Sequence, residues 1–139
     1  MIKRKLVVSL LLLVAAVLLL AGCEGYTEMN ARSSEHQSGS GGNLTASAGK
    51  ANGTSTKDLA TLGNGAILDA TVTLSVGAGS YKIELLGEND EVTLALEAQG
   101  GETLTGQGRM VTDAFGDASY RVTAVQAEDV EYRIEYSFR

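Results

Sequence analysis

The segment VEYRIEYSF, Val130 to Phe138, decides the fold class of this 139-residue chain. Its apolar side chains occupy every second position: Val130, Tyr132, Ile134, Tyr136 and Phe138 alternate with Glu131, Arg133, Glu135 and Ser137. Successive side chains of a β-strand point to opposite faces of the sheet. The alternation therefore predicts a strand with one buried face and one solvated face.

The same alternation recurs through residues 66–139. It predicts strands over 70–76, 81–86, 91–98 and 120–125, and a weaker strand or pair of strands over 102–112. Short stretches rich in Gly, Asn and Asp predict turns at 77–80, 87–90, 99–101 and 127–129. Strands with one solvated face are typical of antiparallel sheets. Residues 66–139 are therefore predicted to form an all-β domain, an antiparallel β-sandwich of about six or seven strands with a jelly-roll-like layout.

Residues 23–65 differ in composition from the strands that follow. They consist mainly of Ser, Gly, Asn, Thr and Ala, with few large apolar side chains and no sustained period. Such a segment buries too little apolar surface to offset the entropy lost on ordering. The sequence therefore predicts a flexible linker, with an end-to-end distance of about 35 Å, in front of the domain.

The first 22 residues have the parts of a signal peptide. The basic start MIKRK precedes the 16-residue apolar run from Leu6 to Ala21, and Gly22 and Cys23 follow it. The run is shorter than the roughly 20 residues of a membrane-spanning helix, and no basic stop-transfer segment follows it. We therefore predict a signal peptide over 1–22.

The end of this leader, Leu20-Ala21-Gly22-Cys23, resembles the lipobox of bacterial lipoproteins. The resemblance implies cleavage between Gly22 and Cys23 and attachment of a diacylglyceryl group, with acyl chains such as palmitate, to the Cys23 thiol. Two acyl chains anchor a protein stably. The expected location is the extracytoplasmic face of the cell membrane, and the long Ser/Gly-rich spacer favours a Gram-positive surface over a Gram-negative outer membrane.

Composition argues against several classes of function. The net charge of −6 falls to −9 when the three basic residues of the leader are removed. An acidic domain repels phosphates, so we expect no nucleic-acid partner and no direct docking of the domain on the bilayer. One cysteine and one histidine leave no disulfide, zinc cluster or histidine-dependent triad. We therefore expect no enzyme and no cofactor.

Two groups of residues are candidates for ligand binding. Glu88, Asp90 and Glu91 could offer oxygen ligands to Ca²⁺, although their spacing fits a solvated acidic hairpin better. Sugars typically stack on exposed aromatic rings. Phe115 falls in a predicted loop, whereas four tyrosines fall on inward positions of predicted strands: Tyr81, Tyr120, Tyr132 and Tyr136.

The layout of 66–139 resembles small β-sandwich modules of secreted bacterial proteins. Together with the lipobox, this resemblance implies a membrane-anchored lipoprotein that presents an acidic β-sandwich for binding or for interaction with an envelope protein. The alternative is a surface module that binds carbohydrate or calcium. The sequence does not identify the partner.

Overall fold

The computed structural model describes residues 25–139, which form an all-β fold. Seven antiparallel strands follow in chain order: β1 (Thr27–Met29), β2 (Arg32–Ser38), β3 (Gly41–Ala60), β4 (Ile67–Leu86), β5 (Val92–Gln99), β6 (Thr103–Val111) and β7 (Asp117–Phe138). A short 3-10 turn, Glu88–Asp90, links β4 to β5. Across the described residues, no helix has the length and apolar character needed to span a membrane.

The prediction of an all-β antiparallel sandwich is confirmed. Three predictions concern residues outside 25–139: the signal peptide, the cleavage after Gly22 and the lipidation of Cys23.

Three long strands, β3, β4 and β7, form the centre of the sheet. β7 lies between β3 and β4 and pairs with both along most of its length. The shorter strands pair with the outer sides of the long ones: β2 and β1 along β3, and β6 and β5 along β4. Each short strand pairs with only one part of a long strand. The sheet therefore consists of two halves with different outer strands.

The sheet folds back on itself and makes two packed layers. Tyr120 and Tyr132 are 12 positions apart on β7, a separation of about 40 Å in a straight strand. Their hydroxyl oxygens nevertheless lie 3.0 Å apart, and the rings of Tyr81 and Tyr132 stack with centroids 5.9 Å apart. One layer contains β2, β6 and the adjoining halves of the long strands, and the second layer contains β5 and the remaining halves.

Bulges bend the long strands where they pass between the layers. The β4–β7 register shifts between Ala78 and Ser80, and the β3–β7 register shifts between Ala51 and Gly53. Gly79 has a φ of +71°, a conformation that favours glycine. The stretches 77–80 and 127–129 were predicted to be turns between separate strands, which is wrong. They are bends inside β4 and β7, because a bulge breaks the side-chain alternation without ending the strand.

The predicted inward faces of β4 and β7 are confirmed. In β4, even-numbered residues from Leu68 to Val76 are buried before the bend, and odd-numbered residues from Tyr81 to Leu85 are buried after it. In β7, the buried even-numbered series runs from Ala118 to Ala124 and resumes at Val130. The change of parity in β4 keeps the same side of the sheet facing inward, so both halves share one core.

The prediction of a flexible linker over 23–65 is wrong for residues 27–60, which form β1, β2 and β3. β3 pairs with β7 from Gly41 to Ala60. Its inner face contains small residues, Ala46 and Ala48, which are buried beside Leu44. Small side chains are sufficient here because the facing layer supplies large rings such as Tyr81. The folded domain therefore starts at about residue 27 and not at residue 66.

β5 and β6 lie in different layers. A turn closed by the Glu102 N–H and the Gln99 carbonyl at 2.9 Å reverses the chain between them. β5 pairs with the second half of β4, and β6 pairs with the first half. The predicted turn at 99–101 therefore connects the two layers, whereas the predicted turn at 87–90 joins the paired strands β4 and β5.

The two ends of the sandwich are different. At the bend end, the long strands pass between layers near Gly53, Gly79 and Gln126, and β1 pairs with the bend of β3. At the open end, loops 61–66 and 112–116 cross between the layers and bond each other, for example from the Gly65 N–H to the Asp113 carbonyl at 3.0 Å.

Candidate binding cleft

A cleft of about 240 Å³ opens between the layers along the β3 side of the sandwich. Its floor includes the rings of Tyr81, Tyr120 and Tyr132. Five charged residues also line it: Glu28 from β1, Arg32 and Glu35 from β2, and Lys57 and Asp58 from β3. The cleft exists because the bends bring both halves of the long strands face to face.

Tyrosine hydroxyls form two hydrogen-bonded pairs at and beside the floor. Tyr120 and Tyr132 are 3.0 Å apart, and so are Tyr26 and Tyr81. A pair of hydroxyls has two protons and uses one for the shared bond. Burial, and after it the neighbouring Glu28 carboxylate, raise the pKa of Tyr26. The Tyr120–Tyr132 pair keeps one proton that can be donated to a ligand.

Burial sets the protonation state of these phenols. It raises the pKa of Tyr81, Tyr120 and Tyr132 above the ordinary value of 10.0, because the charged phenolate loses its water. The hydroxyls therefore stay protonated at neutral pH. They can act as neutral hydrogen-bonding groups and do not act as bases.

The N-terminal segment forms the outer wall of the cleft. The Lys57 ammonium donates a 2.7 Å hydrogen bond to the Glu28 carboxylate and lies 5.1 Å from the centroid of the Tyr26 ring. Burial alone would raise the pKa of Glu28, but the hydrogen bonds from Lys57 and Tyr26 and the Lys57 charge outweigh burial and lower the pKa. The wall is therefore held by a charged hydrogen bond and a cation–π contact.

The charges around the cleft nearly balance. Three carboxylates, of Glu28, Glu35 and Asp58, are offset by the cations of Arg32 and Lys57. A nearly neutral rim gives little attraction for a highly charged ligand. Hydroxyl donors and carboxylate acceptors above a floor of buried tyrosine rings suit an uncharged polar ligand with several hydroxyl groups.

The other predicted ligand residues do not converge on this cleft. Glu88 and Asp90 lie in the exposed 3-10 turn, and Glu91 follows it. Within residues 25–139 no group of three His, Cys, Asp or Glu side chains could hold a metal ion. Phe115 lies in a loop at the open end with 87% of its surface exposed. The predicted inward positions of Tyr81, Tyr120, Tyr132 and Tyr136 are confirmed.

Sequence reasoning did not find the wall of the cleft. Glu28, Arg32, Glu35, Lys57 and Asp58 all fall in the stretch predicted to be a linker. A weak signal was present, because Leu44, Ala46 and Ala48 alternate with polar residues as in a half-buried strand.

Comparison with known proteins identifies no family. No family model matches the sequence, and no curated protein matches it. Several solved structures share a similar path of the chain. The xylan-binding CBM22-1 domain of Paenibacillus barcinonensis Xyn10C is 11% identical, with 84% of this chain and 86% of that chain covered and a TM-score of 0.37.

Two further solved structures show the same level of similarity. A carbohydrate-binding module of Cellvibrio mixtus lichenase 5A, in complex with cellotriose, is 12% identical over 80% of this chain and 88% of that chain, with a TM-score of 0.38. A subunit of disulfide-linked pili from Bacillus endospore appendages is 9% identical over 84% of this chain and 95% of that chain, with a TM-score of 0.44. All three TM-scores are below 0.5.

Proposed function

We propose that the protein is a lipid-anchored, non-catalytic module that binds a neutral sugar unit of a glycan at the extracytoplasmic face of a bacterial membrane. The observation that carries the sugar assignment is the tyrosine-floored cleft. The Tyr120–Tyr132 pair supplies a hydroxyl donor at the floor of the cleft, and Glu35 and Asp58 supply acceptors at its wall. Sugars present several hydroxyl groups that such donors and acceptors can bind.

The size of the cleft limits the ligand. Typical small-molecule pockets measure about 300–1,000 Å³, and this cleft measures about 240 Å³. It therefore suits one sugar ring, such as a chain end or a side branch, rather than a long internal stretch of polysaccharide.

The anchor is the part of the proposal that rests on sequence. Leu20-Ala21-Gly22-Cys23 supports lipidation of Cys23, which would hold the domain at the outer face of the cell membrane of a Gram-positive cell. We expect Cys23→Ser to retain its leader and to incorporate no labelled fatty acid. Labelled fatty acid in the Cys23→Ser protein would contradict the anchor and leave the sugar assignment to its own test.

Calorimetric titration of the full chain with neutral mono- and oligosaccharides tests sugar binding. We expect saturable binding that weakens about tenfold in Tyr132→Phe, since one hydrogen bond contributes about 1 kcal/mol or slightly more. The matched control is Tyr136→Phe. The hydroxyl of Tyr136 is buried without a hydrogen-bond partner among residues 25–139 and lies outside the cleft.

Two results would contradict the proposal. One is the absence of binding to every neutral sugar by a protein that unfolds cooperatively. The other is an equal loss of affinity in Tyr136→Phe and Tyr132→Phe, which would show that the effect does not come from the cleft.

A further inference from the structure

The bend end of the sandwich carries two exposed apolar side chains close to the N-terminus. Met29 in β1 is 61% exposed, and Val125 at the bend of β7 is 59% exposed. A shallow groove of about 370 Å³ beside them is lined by Met29, Ala51 and Ala127, with Lys50 and Glu128 at its rim. These side chains and the groove give the bend end a small apolar surface.

The chain enters the fold at this same end. Thr27 pairs with Asn52 at the bend of β3, and a side chain at Gly53 would strike the Gly25 carbonyl oxygen. The 24 residues that precede Gly25 in the sequence therefore connect to the bend end and not to the open end.

The distance from the proposed anchor to this surface is short. Four residue steps separate Cys23 from Thr27, and an extended chain spans about 14 Å over four steps. Because β1 to β3 occupy the stretch that the sequence suggested was a spacer, the described fold starts within this distance of the lipid. An acylated Cys23 would thus bring the bend end to the level of the headgroups.

We propose that the bend end lies on the membrane that carries the anchor, with Met29 and Val125 inserted into the interfacial region. This inference rests on the proposed lipidation of Cys23. Interfacial apolar side chains enter the headgroup and acyl boundary by about 5–10 Å. The Lys50 ammonium, at the rim of the groove, is placed to meet lipid phosphates.

The charges of the bend end determine which lipids it tolerates. Glu128 lies 4.0 Å from the Lys50 ammonium and offsets its charge. Asp129, beside Gly77, and Glu102, beside Val76, add negative charge near the bend of β4. Apolar insertion therefore drives the contact, and anionic lipids oppose it. The proposal departs from the expectation, based on net charge alone, that the domain does not dock on the bilayer. In this orientation the open end, with Phe115, faces away from the membrane, and the cleft opens at the side of the molecule.

Fluorescence of single labelled cysteines tests this orientation. Lipid on Cys23 occupies the only native thiol, so an introduced cysteine is the sole labelling site. The lipidated full chain, with Val125→Cys, Met29→Cys or Phe115→Cys carrying an environment-sensitive dye, is reconstituted in phosphatidylcholine vesicles. We expect the dyes at 125 and 29 to shift to shorter wavelength and resist quenching by iodide, while the dye at 115 stays quenched.

Each outcome decides the proposal. Equal quenching at 125 and 115 in protein that floats with the vesicles overturns the orientation and leaves the anchor standing. Failure to float with the vesicles overturns the anchor and the orientation together. Protection at 125 that disappears when the protein is diluted with excess lipid assigns the surface to a second copy of the chain and also overturns the proposal.

Discussion

At the scale of the residue, Glu28 connects the N-terminal segment to the rest of the fold. Its carboxylate accepts the 2.7 Å hydrogen bond from Lys57, and its side chain is only 20% exposed. An ion pair with this little exposure is screened less by water and salt than one on the open surface. Glu28 therefore stabilises the wall of the cleft more than an ordinary surface charge would.

We expect Glu28→Gln to lower the free energy of unfolding by about 1 kcal/mol at pH 7. The Lys57 contact lowers the pKa of Glu28 in the folded protein below its ordinary value of 4.5. The unfolded chain thus binds the proton first as the pH falls. The stability that Glu28 contributes is present above pH 4.5 and is lost below it. Urea unfolding at a series of pH values should show the two proteins converging in acid.

The matched control for this substitution is Glu131→Gln. Glu131 is exposed on the outer face of β7, and its substitution makes the same change in net charge. We expect little change in its stability at any pH. A Glu28→Gln deficit that stays constant from neutral to acidic pH would show that lost packing, and not the ion pair, is responsible.

At the scale of the element, the bend of β4 depends on Gly79. Gly79 combines a φ of +71° with close packing, because an added Cβ would overlap the Gln126 carbonyl oxygen of β7. Gly101 has a φ of +86°, yet an added Cβ would meet nothing within 4 Å. Substituting each of the two glycines by alanine therefore separates the cost of backbone strain from the cost of steric overlap.

We expect Gly101→Ala to cost about 1 kcal/mol, the strain of a left-handed alanine. Gly79→Ala should cost about 3 kcal/mol or more, because strain is added to a forced separation of β4 from β7. Denaturant unfolding of both variants measures the difference. Equal losses would indicate that the bend tolerates the extra atom and that the close approach is not needed for the fold.

The bends also explain what the sequence could predict about the elements. The alternation of apolar and polar side chains predicts both halves of β4 and β7, since their inner residues are large and apolar, as at Ile83 and Val122. It could not show that 77–80 continues the strand, because Gly77 and Gly79 have the composition of a turn. β3 was missed because Ala46 and Ala48 carry little hydrophobic signal, and their burial depends on the facing layer.

Only part of the candidate cleft could be predicted from the sequence. The inward tyrosines could be predicted from alternation, but the pairing of Tyr120 with Tyr132 could not, because it depends on a strand that folds back on itself. The charged wall is predicted to be flexible because the stretches around Glu28 and Lys57 have few large apolar side chains and no sustained period. Glu28 and Lys57 bind each other, and Tyr26 beside Lys57 is hydrogen-bonded to Tyr81, which a distant strand contributes.

At the scale of the whole molecule, β3 holds the two layers together as one cooperative unit. It pairs with β7 in both halves of the sheet, so removing it would turn β7 into an edge strand on both layers. It also buries Leu44 and Leu59 almost completely. Burial of these two side chains contributes about 3–6 kcal/mol, a large part of the roughly 5–15 kcal/mol that stabilises a typical domain.

We therefore expect a fragment of residues 66–139 to be unfolded or aggregated, although the sequence pattern alone predicts that it is a complete domain. A fragment of residues 25–139 should unfold cooperatively in urea and give a strand-rich circular dichroism spectrum. Since β7 would expose its inner tyrosines without β3, the short fragment should also show tyrosine ionisation near the ordinary pKa of 10.0 for Tyr120. A short fragment with a cooperative transition and protected tyrosines would mean that β4 to β7 can close the core without β3, and the cleft would then be an addition to a self-sufficient domain.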